Sequence, residues 1–361
     1  MIAVVKIGTS SITDAAGEIV AAPLLKLCAE VAAARTGGHE LVLVSSGAIA
    51  AGLPALGLAR RPSDIGTLQA VAAVGQPRLM ERFSAILGAH RLVAAQVLLT
   101  PYDFIHRTQY LHARQTLRRL LDLGTVPVVN ENDTVADDEI RYGDNDRLAA
   151  LVAHLVGADL LVLLTDTSGL FTADPRIDEA ATLIEEIAEV DAALEAVAGG
   201  TGSERGSGGM ASKLAAAKIA AWSGVRAVIA GAGVPSVLAG ALAGETVGTV
   251  VHPRGKRLAS RKLWIAFAQG AHGRLLVDDG ARRALVEGGR SLLPAGVRGV
   301  EGRFEVEDPV EVIGPDGRPF AKGLVRYNSV ALVGLAGTRT GDLPDGASHE
   351  VIHRDDLVIM P

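Results

Sequence analysis

Val126-Pro127-Val128-Val129-Asn130-Glu131-Asn132-Asp133, followed by Gly143-Asp144-Asn145-Asp146, is the stretch on which the reading of the fold turns. Val126–Val129 is an apolar run of strand length. Beyond the second cluster, Leu148, Leu151, Val152, Leu155 and Val156 recur at i, i+3, i+4, i+7 and i+8, which predicts a helix with Asp144 or Asn145 as its N-cap. Two sets of carboxylates and carboxamides therefore sit at a strand's C-terminal end and a helix's N-terminus, where ligands bind in open α/β sheets. On composition alone these clusters read more readily as acidic surface loops beside a capped helix. Motifs elsewhere in the chain decide for a site.

Working outward, short β-branched runs alternate with longer amphipathic ones from residue 1 to about residue 250. The predicted strands are Ile2–Ile7, Leu41–Val44, Val93–Leu99, Val126–Val129, Leu160–Leu164 and Ala227–Ala230; the predicted helices are Leu24–Ala34, Leu68–Leu87, Thr108–Leu123, Asp144–Val156 and Ser212–Trp222. Continuously apolar strands separated by helices imply a mostly parallel sheet covered on both faces, a three-layer α/β/α sandwich. This first domain is placed at residues 1–253. From His252 to Lys262 the chain carries basic residues without an acid, which reads as a linker at 254–270 rather than a nucleic-acid strip. Residues 271–361 change to short strands with Gly-rich turns: Leu275–Val277, Pro309–Ile313 and Leu324–Tyr327, a hairpin turn at Pro315-Asp316-Gly317 and one helix at Ala281–Glu287. A second, mostly β domain is expected there.

Composition narrows the function. A formal charge of −6 argues against a general nucleic-acid or membrane-surface binder, and 48 % hydrophobic residues with only 3 % aromatics mean cores of Ala, Val and Leu. The single cysteine, Cys28, falls among Leu24, Leu27 and Val31 on a predicted buried face and has no intrachain partner. The N-terminal strand is too short for a signal peptide, and the uncharged stretch Leu41–Ala59 is broken by Ser45, Ser46, Gly47, Gly52 and Pro54. A cytoplasmic protein with no membrane span is expected. The nine histidines show no metal-ligand spacing with the lone cysteine.

Further motifs carry the chemistry. Lys6-Ile7-Gly8-Thr9-Ser10 closes the first strand and Ser45-Ser46-Gly47-Ala48 the second, each offering backbone N–H groups to an anion. Thr165-Asp166 precedes Gly169-Leu170-Phe171-Thr172-Ala173-Asp174-Pro175. Gly206-Ser207-Gly208-Gly209-Met210-Ala211-Ser212-Lys213 then opens a helix with a lysine in its first turn, a phosphate cradle in physical terms. Neither a G-x-x-x-x-G-K-[ST] loop nor a G-x-G-x-x-G fingerprint is present. His353-Arg354-Asp355 imitates a protein-kinase signature, but no D-F-G follows it.

These segments, together with Ser46–Gly52 and Ala72-Ala73-Val74-Gly75-Gln76, resemble the amino acid kinase family in order and across the whole first domain. The nearest resemblance is to its glutamate-phosphorylating branch, and residues from about Gly273 to His349 resemble a PUA domain. Branches acting on aspartate, N-acetylglutamate or UMP are disfavoured by the paired Asn-Glu-Asn-Asp and Gly-Asp-Asn-Asp motifs and by the lack of an ACT-like segment. Ser207 and Ser212 stand where the family more often has threonine.

The resemblance implies transfer of the ATP γ-phosphoryl group to the side-chain carboxylate of L-glutamate, with Mg²⁺ carried by ATP and no metal held by the protein, and with inhibition by proline. It implies Lys6 and Lys213 as cations for the transferred group, with Gly8 and Gly47 supplying N–H donors. Asp146 holds the lysines, and Asp144 orients its loop or assists Mg²⁺ through water. Ser46, Asp133 and Asn145 are implied for glutamate, Asp133 facing the α-ammonium and the other two hydrogen-bonding carboxylates. Lys6, Thr165 and Asp166, with Ser207, Gly208, Gly209, Met210, Ala211, Ser212 and Lys213, are implied for the nucleotide. A homo-oligomer and contact with glutamyl phosphate reductase are further expectations. RNA binding by the PUA-like region is disfavoured, since residues 271–361 carry 11 Lys+Arg against 14 Asp+Glu, a net of −3.

Overall fold

Strands with no polar side, such as Ile2–Ile7 and Leu160–Thr165, are stable only when both sheet faces are covered, and every residue of these two is buried. A computed structural model describes residues 1–14, 18–100, 102–135, 145–199, 209–255, 257–267, 270–344 and 346–360. It divides the chain into two units, Met1–Arg257 and Leu258–Pro361.

The first unit contains β1 (Ile2–Ile7), β2 (Glu40–Ser45), β3 (Ala94–Leu99), β4 (Val126–Glu131), β5 (Leu160–Thr165), β6 (Glu186–Ile187), β7 (Arg226–Gly231) and β8 (Thr249–Val251). They form an eight-stranded sheet in the order β3-β4-β2-β1-β5-β7-β8-β6, parallel throughout except for the β7/β8 pair. Register aligns the strand ends that matter. Ile7 pairs with Ser45 on one side and Leu164 on the other, and Val44 pairs with Val129, so Ser45, Asn130 and Thr165 come to one edge beside Lys6.

Helices cover both faces. Ala21–Thr36 buries Leu24, Leu27, Cys28, Val31 and Ala34, the stripe expected of an amphipathic helix. Burial pushes the Cys28 thiol up to about 12, which leaves it a small apolar filler. Helix Asn145–Val156 packs on helix Met210–Trp222, and both are buried along most of their length, as their Ala-rich sequences allow. Helix Ile65–Ala89 lies against the short helix Ala48–Gly52. A Cβ at Gly75 would overlap the Ala48 carbonyl oxygen and lie 2.5 Å from Gly52 N, so only glycine permits this approach.

The second unit is a five-stranded sheet, order β10-β9-β11-β12-β13, of β9 (Gly273–Val277), β10 (Val297–Gly302), β11 (Pro309–Ile313), β12 (Pro319–Leu324) and β13 (Leu357–Ile359). Its core includes Leu275, Leu285, Phe304, Val312, Phe320 and Ile352. The hairpin turn lies between β11 and β12, with Gly317 at φ +75°.

Two expectations need correction. The stretch read as a linker contains helix Ser260–Phe267, which buries Leu263, Ile265 and Ala266 and packs on β12 and β13. Its basic residues are engaged internally: Arg261 with Asp356 at 2.6 Å, and Lys262 with the Arg354 carbonyl at 3.1 Å. Leu324–Tyr327 is not a strand; the strand is Pro319–Leu324. Beyond it, Asn328 caps helix Ser329–Leu335 by accepting from Ala331 N–H, so the chain leaves the sheet for a helix.

Candidate active site

Lys6 lies one residue before the end of β1, and Asp146 and Lys213 lie in the first turns of two helices that pack together. Asp146, fully buried, joins the two lysines: Lys6 Nζ is 2.5 Å from Oδ1 and Lys213 Nζ 3.1 Å from Oδ2. Ser212 Oγ donates to the same Oδ2 at 2.8 Å. Burial favours the neutral acid at Asp146, but the Lys6 and Lys213 charges and the hydrogen bonds from Lys6 and Ser212 outweigh it and hold the carboxyl below its usual range. Two lysines on one carboxylate leave a net positive charge in a dry place. Two helix N-termini add their positive ends, an arrangement suited to a phosphoryl group.

Lys213 also lines a cleft of about 630 Å³, counting its open mouth, with Thr165, Asp166, Gly209 and Met210 on its walls. Leu170, Phe171 and Pro175 supply apolar surface, and the Thr165 hydroxyl donates to Asp166 at 3.1 Å. At the rim Arg176 makes a two-pronged pair with Asp174, 3.0 Å from Nε and 2.7 Å from Nη2. Leu170 is anchored by its N–H to the buried Thr249 hydroxyl at 2.8 Å.

On the other side of Asp146 in sequence, Asn145 enters a carboxamide chain. Its Nδ2 donates to Ser46 Oγ at 3.0 Å and to Asn130 Oδ1 at 3.1 Å, and Asn130 Nδ2 donates to Gln76 Oε1 at 2.8 Å. Asn145 was expected to donate to a substrate carboxylate. Instead its amide donors face Ser46 and Asn130, and its buried Oδ1, without a hydrogen-bond partner among the described residues, is an open acceptor. Gly47 holds φ +110° at the start of helix Ala48–Gly52, a conformation that favours glycine, and bends the chain so that Ser46 faces Asn145.

Asp133 begins a short 3₁₀ turn after β4. Burial pushes its carboxyl up to about 6, against the pull of the nearby Arg61 guanidinium. Asp144, Ser207 and Gly208 lie outside the described residues; Gly209, Met210, Ala211 and Ser212 open the helix that carries Lys213.

Gln76, Asn130 and Arg61 were given no role from sequence. A signal for Gln76 existed: it follows Ala72 at i+4 and precedes Leu79 and Phe83 on the buried stripe of its helix, a carboxamide on an apolar face.

Comparison with known proteins agrees with this geometry. The amino acid kinase family matches residues 1–231, and the PUA domain matches residues 273–343. The chain belongs to the amino acid kinase family. This kinase is 49 % identical over 364 residues to the glutamate 5-kinase of Anaeromyxobacter dehalogenans, covering 99 % of this chain and 96 % of that one. It is 51 % identical over 362 residues to the glutamate 5-kinase of Frankia casuarinae, with the same coverage. In fold it is similar to carbamate kinase from Giardia lamblia bound to AMP-PNP, with a TM-score of 0.53 at 16 % identity, covering 70 % of this kinase and 98 % of that structure. Among the described residues no helix is long and apolar enough to cross a membrane.

Proposed function

We propose that this amino acid kinase transfers the γ-phosphoryl group of ATP to the side-chain carboxylate of L-glutamate, giving L-glutamyl 5-phosphate and ADP. The observation that carries the reading is the buried Lys6–Asp146–Lys213 cluster, which shares Lys213 with the cleft and adjoins Asn145 in sequence. The glutamate 5-kinases that align along its full length support the choice of acceptor.

A carboxylate nucleophile is already ionised near neutral pH, so the site needs no general base. One glutamate oxygen attacks the γ-phosphorus while the bond to the β,γ-bridging oxygen breaks and its electrons leave with ADP. The barrier comes from bringing two anions together and from charge on the phosphoryl and leaving oxygens. Lys6 and Lys213 meet that charge, Asp146 keeps them preorganised, and the Gly8 and Gly47 N–H groups assist. Thr165, Asp166 and the residues from Gly209 to Lys213 bind ATP, the apolar wall of Leu170, Phe171 and Pro175 taking the base. In this reading Mg²⁺ is carried by the ATP phosphates, whose hard oxygens suit it.

Asp133 pairs with the α-ammonium of glutamate and the Ser46 hydroxyl donates to a carboxylate. Proline presents the same ammonium and α-carboxylate without an acceptor carboxylate, and should raise the apparent KM for glutamate while leaving kcat at saturation unchanged.

ADP release by the pure kinase with L-glutamate, L-aspartate, N-acetylglutamate or UMP tests the assignment. Turnover with glutamate alone is expected; preference for another acceptor would overturn it.

A further inference from the structure

The carboxamide chain has a polarity, and a backbone group sets it. Glu131 N–H can only donate, and it lies 2.9 Å from Asn130 Oδ1, which fixes the oxygen end of that side chain. Asn130 Nδ2 must then find an acceptor, and it meets Gln76 Oε1. Asn145 must offer Nδ2 rather than oxygen to Asn130, and the same nitrogen reaches Ser46 Oγ. With that order imposed, Asn145 Oδ1 has no hydrogen-bond partner among the described residues, and the Ser46 hydroxyl, accepting from Asn145, still has its own hydrogen to donate. Gln76, Asn130 and Asn145 are 8 %, 1 % and 7 % exposed, so water does not readily replace a lost partner.

We infer that Gln76 is a positioning residue for amino-acid recognition: through Asn130 it holds Asn145 with its amide donors toward the protein and its carbonyl oxygen available to the substrate's α-ammonium. The inference rests on the glutamate reading and adds to it. An ammonium has three donors to satisfy, and a carbonyl oxygen beside a carboxylate answers that need where an amide N–H would repel it. Without the Gln76 acceptor, Asn130 Nδ2 is left buried and unpaired, so only the Glu131 N–H still opposes a turned Asn130 amide, and a turned Asn130 turns Asn145 with it.

The test uses the full-length kinase with Gln76→Met, which keeps length and removes the acceptor, and Gln76→Glu, which keeps an acceptor oxygen. Each is assayed with L-glutamate and with glutarate, the same dicarboxylate without the ammonium, as substrate or as competitive inhibitor. Gln76→Met should raise KM for glutamate about ten- to a hundredfold, the cost of one misdirected buried polar group. Its kcat at saturation and KM for ATP should stay near wild type. Its affinity for glutarate should fall clearly less than that for glutamate, since glutarate loses only the Ser46 hydrogen and not the ammonium contact, and Gln76→Glu should recover most of the loss. A residue that only supports the fold would weaken glutamate and glutarate alike. An equal loss for both ligands, or a fall in kcat with KM unchanged, would overturn the inference. If Gln76→Met does not fold, Gln76→Asn, one methylene short of Asn130, is read by the same glutamate-to-glutarate ratio. Failure of the wild type to turn over glutamate would sink the substrate reading; normal glutamate KM in both acceptor-breaking variants would sink this one alone.

Discussion

Replacing Asp146 by Asn probes the centre of the site. The carboxylate is fully buried and faces Lys6 at 2.5 Å and Lys213 at 3.1 Å. Asn keeps one acceptor oxygen but turns an amide donor toward the other lysine, and the two ammonium groups lose the charge that joins them. Breaking a buried ion pair in this way costs about 3–5 kcal/mol. In a unit the size of Met1–Arg257, each kcal/mol lowers Tm by roughly 2–4 °C, so a drop of roughly 6–20 °C is expected. Below the variant's Tm, kcat for ADP release should still fall about a hundred- to a thousandfold, because the cations are no longer held where charge develops. The acid side carries its own signature. Since Asp146 is held below its ordinary value, its stabilisation is complete above the unfolded value of about 3.9 and is lost as pH falls through the folded one. Asp146→Asn should remove that part of the acid-side loss of stability. Calorimetry and steady-state kinetics on the same preparation give both numbers. A variant with Tm within roughly 2 °C of wild type, the range of a neutral surface change, and with unchanged kcat would refute the reasoning.

Lys213→Met should lower kcat about a hundred- to a thousandfold, measured at saturating ATP and glutamate; a raised KM for ATP at near-normal kcat would make it a ground-state binding residue. Asp133 must be ionised to pair with an ammonium, and burial pushes it up to about 6. KM for glutamate should therefore be flat above about pH 6 and rise about tenfold per unit below it, while Asp133→Asn raises KM and flattens the profile. A wild-type KM independent of pH across that range would count against the pairing. Gly75→Ala drives a methyl into the Ala48 carbonyl and should cost about 1–3 kcal/mol or more in chemical denaturation. An unchanged midpoint would mean that the two helices separate freely.

The sheet was legible because its central strands are continuous apolar runs and its helices show regular stripes. Strands β6 and β8 have two and three residues, too few for a period to register. Helix Ser260–Phe267 was hidden because Arg261 and Lys262 read as linker charges, although both have partners within the second unit. At the site, Lys6, Asp146 and Lys213 stood out as charges beside glycines and helix starts. Gln76 showed only as a carboxamide on an apolar face; the contact behind its proposed role forms only when Asn130, 54 residues later, is folded against it. The direction of the Asn145 amide was likewise not in its identity; it follows from the Glu131 N–H acting through Asn130.

Acyl-phosphate trapping tests the central claim most directly. Pure kinase, Mg²⁺·ATP and L-glutamate are incubated with hydroxylamine, which attacks an acyl phosphate and leaves a stable hydroxamate. Glutamyl hydroxamate should form in step with ADP in the wild type, and Lys213→Met should lose both together. ADP released without hydroxamate, or at the same rate when glutamate is omitted, would contradict phosphoryl transfer to the glutamate carboxylate at this site.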